Sequence, residues 1–205
     1  VDFNPPRFAL NAESSDVMAT ECYLFNKEGE TPFWKASDLV DVAQDAVKLR
    51  KPVFAVPRAT GGERVEDERV VAWIALTHDV RGLFWYAWGE GADSGNIGRK
   101  YDTALQEGLK GILSQIRELI PALTAPVRRP FVEDKVHGII CDDGETRTLL
   151  VVNTAQEMKP VPVILEFKGL SPEPVFGEPA MTVPLGPLEC RAYRCHVGKR
   201  RISSP

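Results

Sequence analysis

The sequence predicts an α/β segment followed by an all-β segment, and three observations carry that prediction. Between about positions 16 and 120, short apolar runs alternate with longer stretches whose apolar residues recur at helical spacing. Between about 130 and 197 the helical spacing disappears, and strand-like runs are broken by Gly and Pro. The chain has 205 residues, enough for one large or two small domains, so it can hold both regimes.

Taken in order, Asp16–Tyr23 reads as a strand. A helix is predicted from Ser37 to about position 49, because Leu39, Val42, Ala43, Ala46 and Val47 form one apolar stripe. Ser37 or Asp38 is the expected N-terminal cap. Pro52–Val56 is a short continuous apolar run, the pattern of a strand buried on both faces. A second helix is predicted over Val65–His78. Val70, Trp73, Ile74 and Thr77 lie on one face, and acidic residues in its first turn suit the helix dipole. Arg81–Trp88 is a third strand. Asp102–Ile120 is a long helix carrying Leu105, Leu109, Ile112, Ile116 and Leu119, with Pro121 expected to limit it.

This βαβαβα order implies a parallel sheet with right-handed crossovers. A complete barrel of eight such units needs roughly 250 residues, more than the α/β segment contains. The segment is therefore a barrel fragment, a small three-layer sheet or a half-barrel completed by another chain, and the expectation taken forward is the last three β/α units of a TIM-type barrel over residues 1–126. A small antiparallel β-sandwich is expected over 127–205. In that second part, Val136–Cys141 and Thr148–Val152 flank Asp142-Asp143-Gly144-Glu145, a hairpin turn signal. Val161–Phe167 follows, with Pro162 suiting an edge. Leu188–Cys195 closes the segment with period-two alternation. The sequence opens on Val1 without an initiator Met. It is expected to be the C-terminal piece of a longer protein, completed by an N-terminal barrel half or another chain.

Composition narrows the partners. The net charge of −4 implies no broad basic surface for nucleic acid. The basic run Lys199-Arg200-Arg201 reads as a solvated tail. No apolar run approaches the roughly 20 residues of a membrane helix, and the first residues lack a leader pattern. His78, His137 and His196 fall in different elements, without metal-site spacing. Cys22, Cys141, Cys190 and Cys195 form no CxxC pair and read as reduced, mostly buried thiols. Cys190 and Cys195 should face opposite sides of one strand. Gly89-x-Gly91-x3-Gly95 departs from the dinucleotide fingerprint, so no cofactor is expected.

Parallel α/β folds place their sites at the C-terminal ends of the strands. That rule selects Glu21 and Tyr23 after the first strand, Arg58 after the second, and Trp85, Tyr86, Trp88 and Glu90 after the third. Glu21 is the catalytic candidate, as an acid, base or ligand-binding carboxylate. Glycoside hydrolysis usually takes two carboxylates about 5 to 9 Å apart, and Glu63 or Glu90 can supply the second. Arg58 suits a hydroxyl-rich or anionic ligand, or an ion pair with Glu21. Flat aromatic faces suit the apolar C–H faces of sugar rings, and packing in the core competes for the same side chains.

Several phrases carry a resemblance. Asp16–Tyr23, Lys51–Gly62, Val71–Trp88 and Pro184–Tyr193 resemble, in order, passages at the end of glycoside hydrolase-like barrels and the closing strand of their C-terminal β-domain. The resemblance implies a carbohydrate ligand and hydrolysis of glycosidic bonds in the intact protein. If the three strands are the sixth to eighth, it also implies an acid/base upstream of Val1 and a nucleophile near Pro57 or Arg58. Neither of these two residues is a carboxylate. That departure keeps open a non-catalytic carbohydrate-binding or scaffold protein. A small independent α/β domain with another ligand is the third reading.

Overall fold

The computed structural model describes residues 5–23, 33–48, 50–59, 64–86, 103–162, 167–176 and 179–197. The elements run α1 (Pro5–Ser14), β1 (Met18–Glu21), α2 (Phe33–Val47), β2 (Val53–Val56), α3 (Val65–Thr77), β3 (Gly82–Leu83) and α4 (Thr103–Leu123). Then follow β4 (Val127–Glu133), β5 (Val136–Asp142), β6 (Thr146–Asn153), β7 (Glu173–Pro174) and β8 (Cys190–His196). The expected α/β-then-β order is present. Among the described residues, β1, β2 and β3 form a parallel sheet in that order, and the second half is a five-stranded antiparallel sheet ordered β4-β5-β6-β8-β7.

Several boundaries differ from expectation, each for a physical reason. Helix α2 begins at Phe33, so Ser37 is inside it and does not cap it. The Ser37 hydroxyl instead donates to the Trp34 carbonyl at 2.9 Å. Phe33 and Ala36 extend the buried stripe of Val40, Ala43 and Val47 backwards, and burial decides the start. Helix α4 runs through Pro121 to Leu123. Pro121 is exposed, while Leu119 and Ala122 on either side are buried and hold the last turn. Strand β4 was not expected. It is largely exposed and contains Pro130, and as an edge strand it tolerates a residue without an amide hydrogen. The hairpin turn formed as expected. Gly144 adopts φ +91°, and the Asp142 and Asp143 carboxylates accept backbone hydrogens from Gly144, Glu145 and Thr146. The run expected as a strand at Val161–Phe167 lies partly outside the described residues. Phe167 itself sits in a turn, and the nearby pairing is the bridge Lys159–Leu185.

Helix α3 is the structural centre. Every residue from Val70 to Thr77 is buried, as are Asp67 and Glu68 in the first turn. The one-sided stripe expected from sequence is replaced by burial on all sides. The helix packs against α2, α4 and the antiparallel sheet. One apolar core therefore joins Met18, Val53 and Ala55 of the parallel sheet, Trp73 and Ile74 of α3, and Ile139, Leu150, Val152 and Ala192 of the antiparallel sheet. The far face of the antiparallel sheet carries Ile140, Leu149, Val151 and Tyr193, covered by Phe167 and Leu185 from the irregular segment before β8.

Arg191 anchors that segment. Its residue is 2% exposed. The guanidinium donates to both carboxylate oxygens of Glu189, at 2.7 and 2.5 Å, and to the carbonyls of Val183 and Pro184, at 2.7 and 2.8 Å. Cys190 packs against the shared core and Cys195 into the opposite cluster, as strand alternation requires.

Candidate functional site

The parallel sheet has two unlike faces. Met18, Thr20, Cys22, Val53, Ala55 and Pro57 alternate onto the helix side and are buried. The other side carries Glu21 and Tyr23 from β1 and its extension, Phe54, Val56 and Arg58 from β2 and beyond, and Phe84 and Tyr86 after β3. None of these is fully buried, and Phe84 and Tyr86 are 56% and 55% exposed.

Backbone ladders align the three strand ends. Glu21 pairs with Val56, and the Cys22 amide donates to the Val56 carbonyl at 3.0 Å. Arg58 bridges Tyr86 in parallel, and the Tyr86 amide donates to the Pro57 carbonyl at 2.9 Å. Strand alternation then puts Glu21, Tyr23, Arg58 and Tyr86 on one side. The Tyr23 and Tyr86 rings stack with centroids 6.3 Å apart and an interplanar angle of 23°. Burial first, then the charge of Glu21 and the hydrogen bond to it, push the Tyr23 phenol up to about 12, with Arg58 opposing. Tyr23 therefore stays protonated near neutrality and donates to the Glu21 carboxylate.

The arrangement offers a carboxylate, a phenol, a guanidinium and two aromatic faces on one open surface. Such groups can hydrogen-bond hydroxyls and stack on a ring. Phe54 and Phe84, which sequence reasoning passed over, add an apolar pair with centroids 5.4 Å apart further down the same face. Their period-two spacing with Arg58 and Tyr86 was the signal available.

The structure separates Trp85 from this group. One residue before Tyr86, it points to the helix side, packs against the cluster of Ala72, Leu105, Leu109 and Ile112, and donates its indole hydrogen to Glu68 at 2.9 Å. Adjacent strand residues face opposite sides, so Trp85 and Tyr86 cannot share a surface. Trp88, Glu90 and Glu63 lie outside the described residues. Pro57 is buried on the helix side, and Arg58 takes the open side.

No protein-family model matches the chain, and no curated protein matches it either. Solved structures do share its fold. Trehalose-6-phosphate hydrolase of Bacillus licheniformis matches with a TM-score of 0.53 at 8% identity, over 82% of this chain and 48% of that one. Ligand-free cyclic alpha-maltosyl-(1→6)-maltose hydrolase of Arthrobacter globiformis matches with 0.51 at 16%, over 94% of this chain and 54% of that one. The chain has the fold of the C-terminal part of a glycoside hydrolase-like barrel protein. The alpha-amylase of Geobacillus thermoleovorans, complexed with acarbose, matches with 0.51 at 8%, over 95% of this chain and 63% of that one. The chain spans about half the length of the first two structures. Among the described residues, no helix is long and apolar enough to cross a membrane.

Proposed function

We propose that this chain forms the C-terminal part of a carbohydrate-active enzyme that hydrolyses glycosidic bonds. Residues 1–126 supply its last three β/α units, the sixth to eighth, and residues 127–205 its β-domain. The observation that carries the reading is the gathering of Glu21, Tyr23, Arg58 and Tyr86 at the C-terminal ends of three parallel strands on one open face. The likeness to solved hydrolases supports it. In this reading Glu21 acts as an acid or base, with Tyr23 holding its carboxylate in place. Tyr86 stacks on a sugar ring and Arg58 binds hydroxyls, and Trp88 and Glu90 are the further ligand-binding candidates from the sequence. The remaining barrel strands bring the second carboxylate.

The test is hydrolysis of a panel of di- and oligosaccharides by the intact protein, beside Glu21→Gln and Tyr86→Ala. Removing a positioned acid or base should lower kcat by roughly 10²-fold or more. Tyr86→Ala should act mainly on KM. Unchanged turnover in Glu21→Gln removes that residue from catalysis, and saturable binding without turnover in the parent sinks the enzyme reading.

A further inference from the structure

Outside the strand-end face, one polar chain crosses the seam between the helices and the antiparallel sheet. His78, just past the end of α3, contacts Asp41 of α2 through Nδ1 at 2.6 Å. Its Nε2 lies 2.8 Å from Nδ1 of His137 on β5. The two rings are buried, with centroids 5.1 Å apart, while the Asp41 side chain is 57% exposed at the outer end. From these contacts we propose that Asp41, His78 and His137 form a proton-operated latch that fastens α2 and α3 to the antiparallel sheet and releases on acidification.

Hydrogen counting gives the mechanism. The Asp41 carboxylate accepts, so His78 Nδ1 carries a hydrogen. With both rings neutral, His78 Nε2 is a lone-pair acceptor and His137 Nδ1–H donates to it. With one added proton, His78 carries hydrogens on both nitrogens, and Nε2–H donates to the His137 Nδ1 lone pair. Both states keep the 2.8 Å contact. A second added proton places N–H against N–H and two buried positive rings side by side. No arrangement of hydrogens then bridges the gap, and the contact must part.

The surroundings restrict what else can titrate. From α2, Gln44 is neutral and donates to the carbonyls of His78 and Asp79. From β6, Val152 lies opposite His137, and from β4, Val132 does. On β5, burial pushes the Cys141 thiol up to about 12, so it stays neutral. Beyond α3, Asp79 pairs with Arg128 of β4 at 2.7 Å and with Arg81 at 3.7 Å. Burial raises the Asp79 carboxyl against the pull of Arg128, so Asp79 is a second group in the same seam that takes up a proton on acidification. Burial and the neighbouring His78 bring His137 down to about 4, with Asp41 opposing. The stabilisation that neutral His137 supplies is therefore complete above the ordinary histidine value near 6.5 and is lost as pH falls toward about 4.

The seam it closes is apolar. Trp73 and Ile74 on one side and Ile139, Leu150 and Val152 on the other form one core. Opening the latch admits water there without unfolding either sheet.

The test is hydrogen exchange of the full chain from pH 7 to 4, corrected for intrinsic rates, with imidazole nitrogen shifts followed by NMR. Amides at the end of α3 and in β5 should exchange roughly tenfold faster or more at the acid end, as the second proton enters the pair. His137→Asn keeps a side-chain donor and removes the titration, so it should flatten this response. Asp79→Asn should leave the response in place. A response that persists in His137→Asn, or that vanishes only in Asp79→Asn, overturns the proposal. The nitrogen shifts need no variant to fold. If they show His137 gaining its proton without any change in exchange, the latch is refuted.

Discussion

Glu189→Ala tests how the segment before β8 is held. Arg191 has a side chain only 3% exposed, and Glu189, at 31%, supplies its counter-charge through two short hydrogen bonds. Deleting the carboxylate leaves a buried guanidinium with backbone carbonyls as partners. Breaking a buried pair from one side costs roughly 3 to 5 kcal/mol, and the surviving bonds to Val183 and Pro184 argue for the lower end, about 3 kcal/mol. Arg191→Met removes the charge itself. Glu189 then keeps the Gly186 amide at 2.6 Å, and the freed carbonyls belong to exposed Val183 and Pro184. That change should cost about 1 to 2 kcal/mol. The order is the distinctive outcome: Glu189→Ala worse than Arg191→Met, and the double variant close to Arg191→Met alone. Urea unfolding of each variant at pH 7 measures it. The pH arm has a definite sign. Burial alone would raise the Glu189 carboxyl, but Arg191 and the Gly186 amide bring it below its ordinary range. Its contribution is therefore complete above the unfolded pKa and fades as pH falls through the lower folded value. The penalty for Glu189→Ala should shrink in the same direction. A Glu189→Ala penalty below that of Arg191→Met, or a penalty that grows with acid, refutes the reasoning.

Two further outcomes follow from packing. In Gly138→Ala the new methyl meets the Phe131 ring across the β4–β5 pair, with a cost of roughly 1 to 3 kcal/mol; Phe131→Ala should recover most of it in a double-variant unfolding experiment, and no recovery would mean the backbone is the obstacle. Trp85→Phe removes the hydrogen bond to buried Glu68 and should lower stability by about 1 to 2 kcal/mol. If the intact protein has the proposed hydrolase activity, this change should leave turnover in place, and a loss matching that of Tyr86→Ala would show that Trp85 reaches the ligand.

What sequence made legible was whatever repeats along the chain. The apolar runs of β5 and β6, the alternation of residue types in β8, the helical stripes and the Asp-Gly turn announced their elements, and β5 and β6 are buried on both faces. Strand β4 escaped because its residues face solvent and Pro130 argues against a strand. The full burial of α3 escaped because apolar residues all round a helix declare their neighbours only once the second sheet is in place. At the strand ends, Glu21, Tyr23, Arg58 and Tyr86 were named from topology and are brought together on one face. Trp85 was grouped with Tyr86 by aromatic type, where alternation divides them. His78 and His137 were noted as belonging to separate elements, and their contact joins residues 59 positions apart. Spacing in the chain holds no trace of such a pair.

The burial of α3 reaches beyond packing. The composition changes near Pro126, yet the side chains on either side of that change are welded through Trp73 and Ile74. A knife placed at the compositional boundary would leave two raw surfaces rather than two finished ones. Each half would carry a row of apolar residues shaped for the other, Ile139, Leu150 and Val152 on one and the flank of α3 on the other. Recombining this β-part with a foreign barrel would therefore mean transplanting a helix along with it.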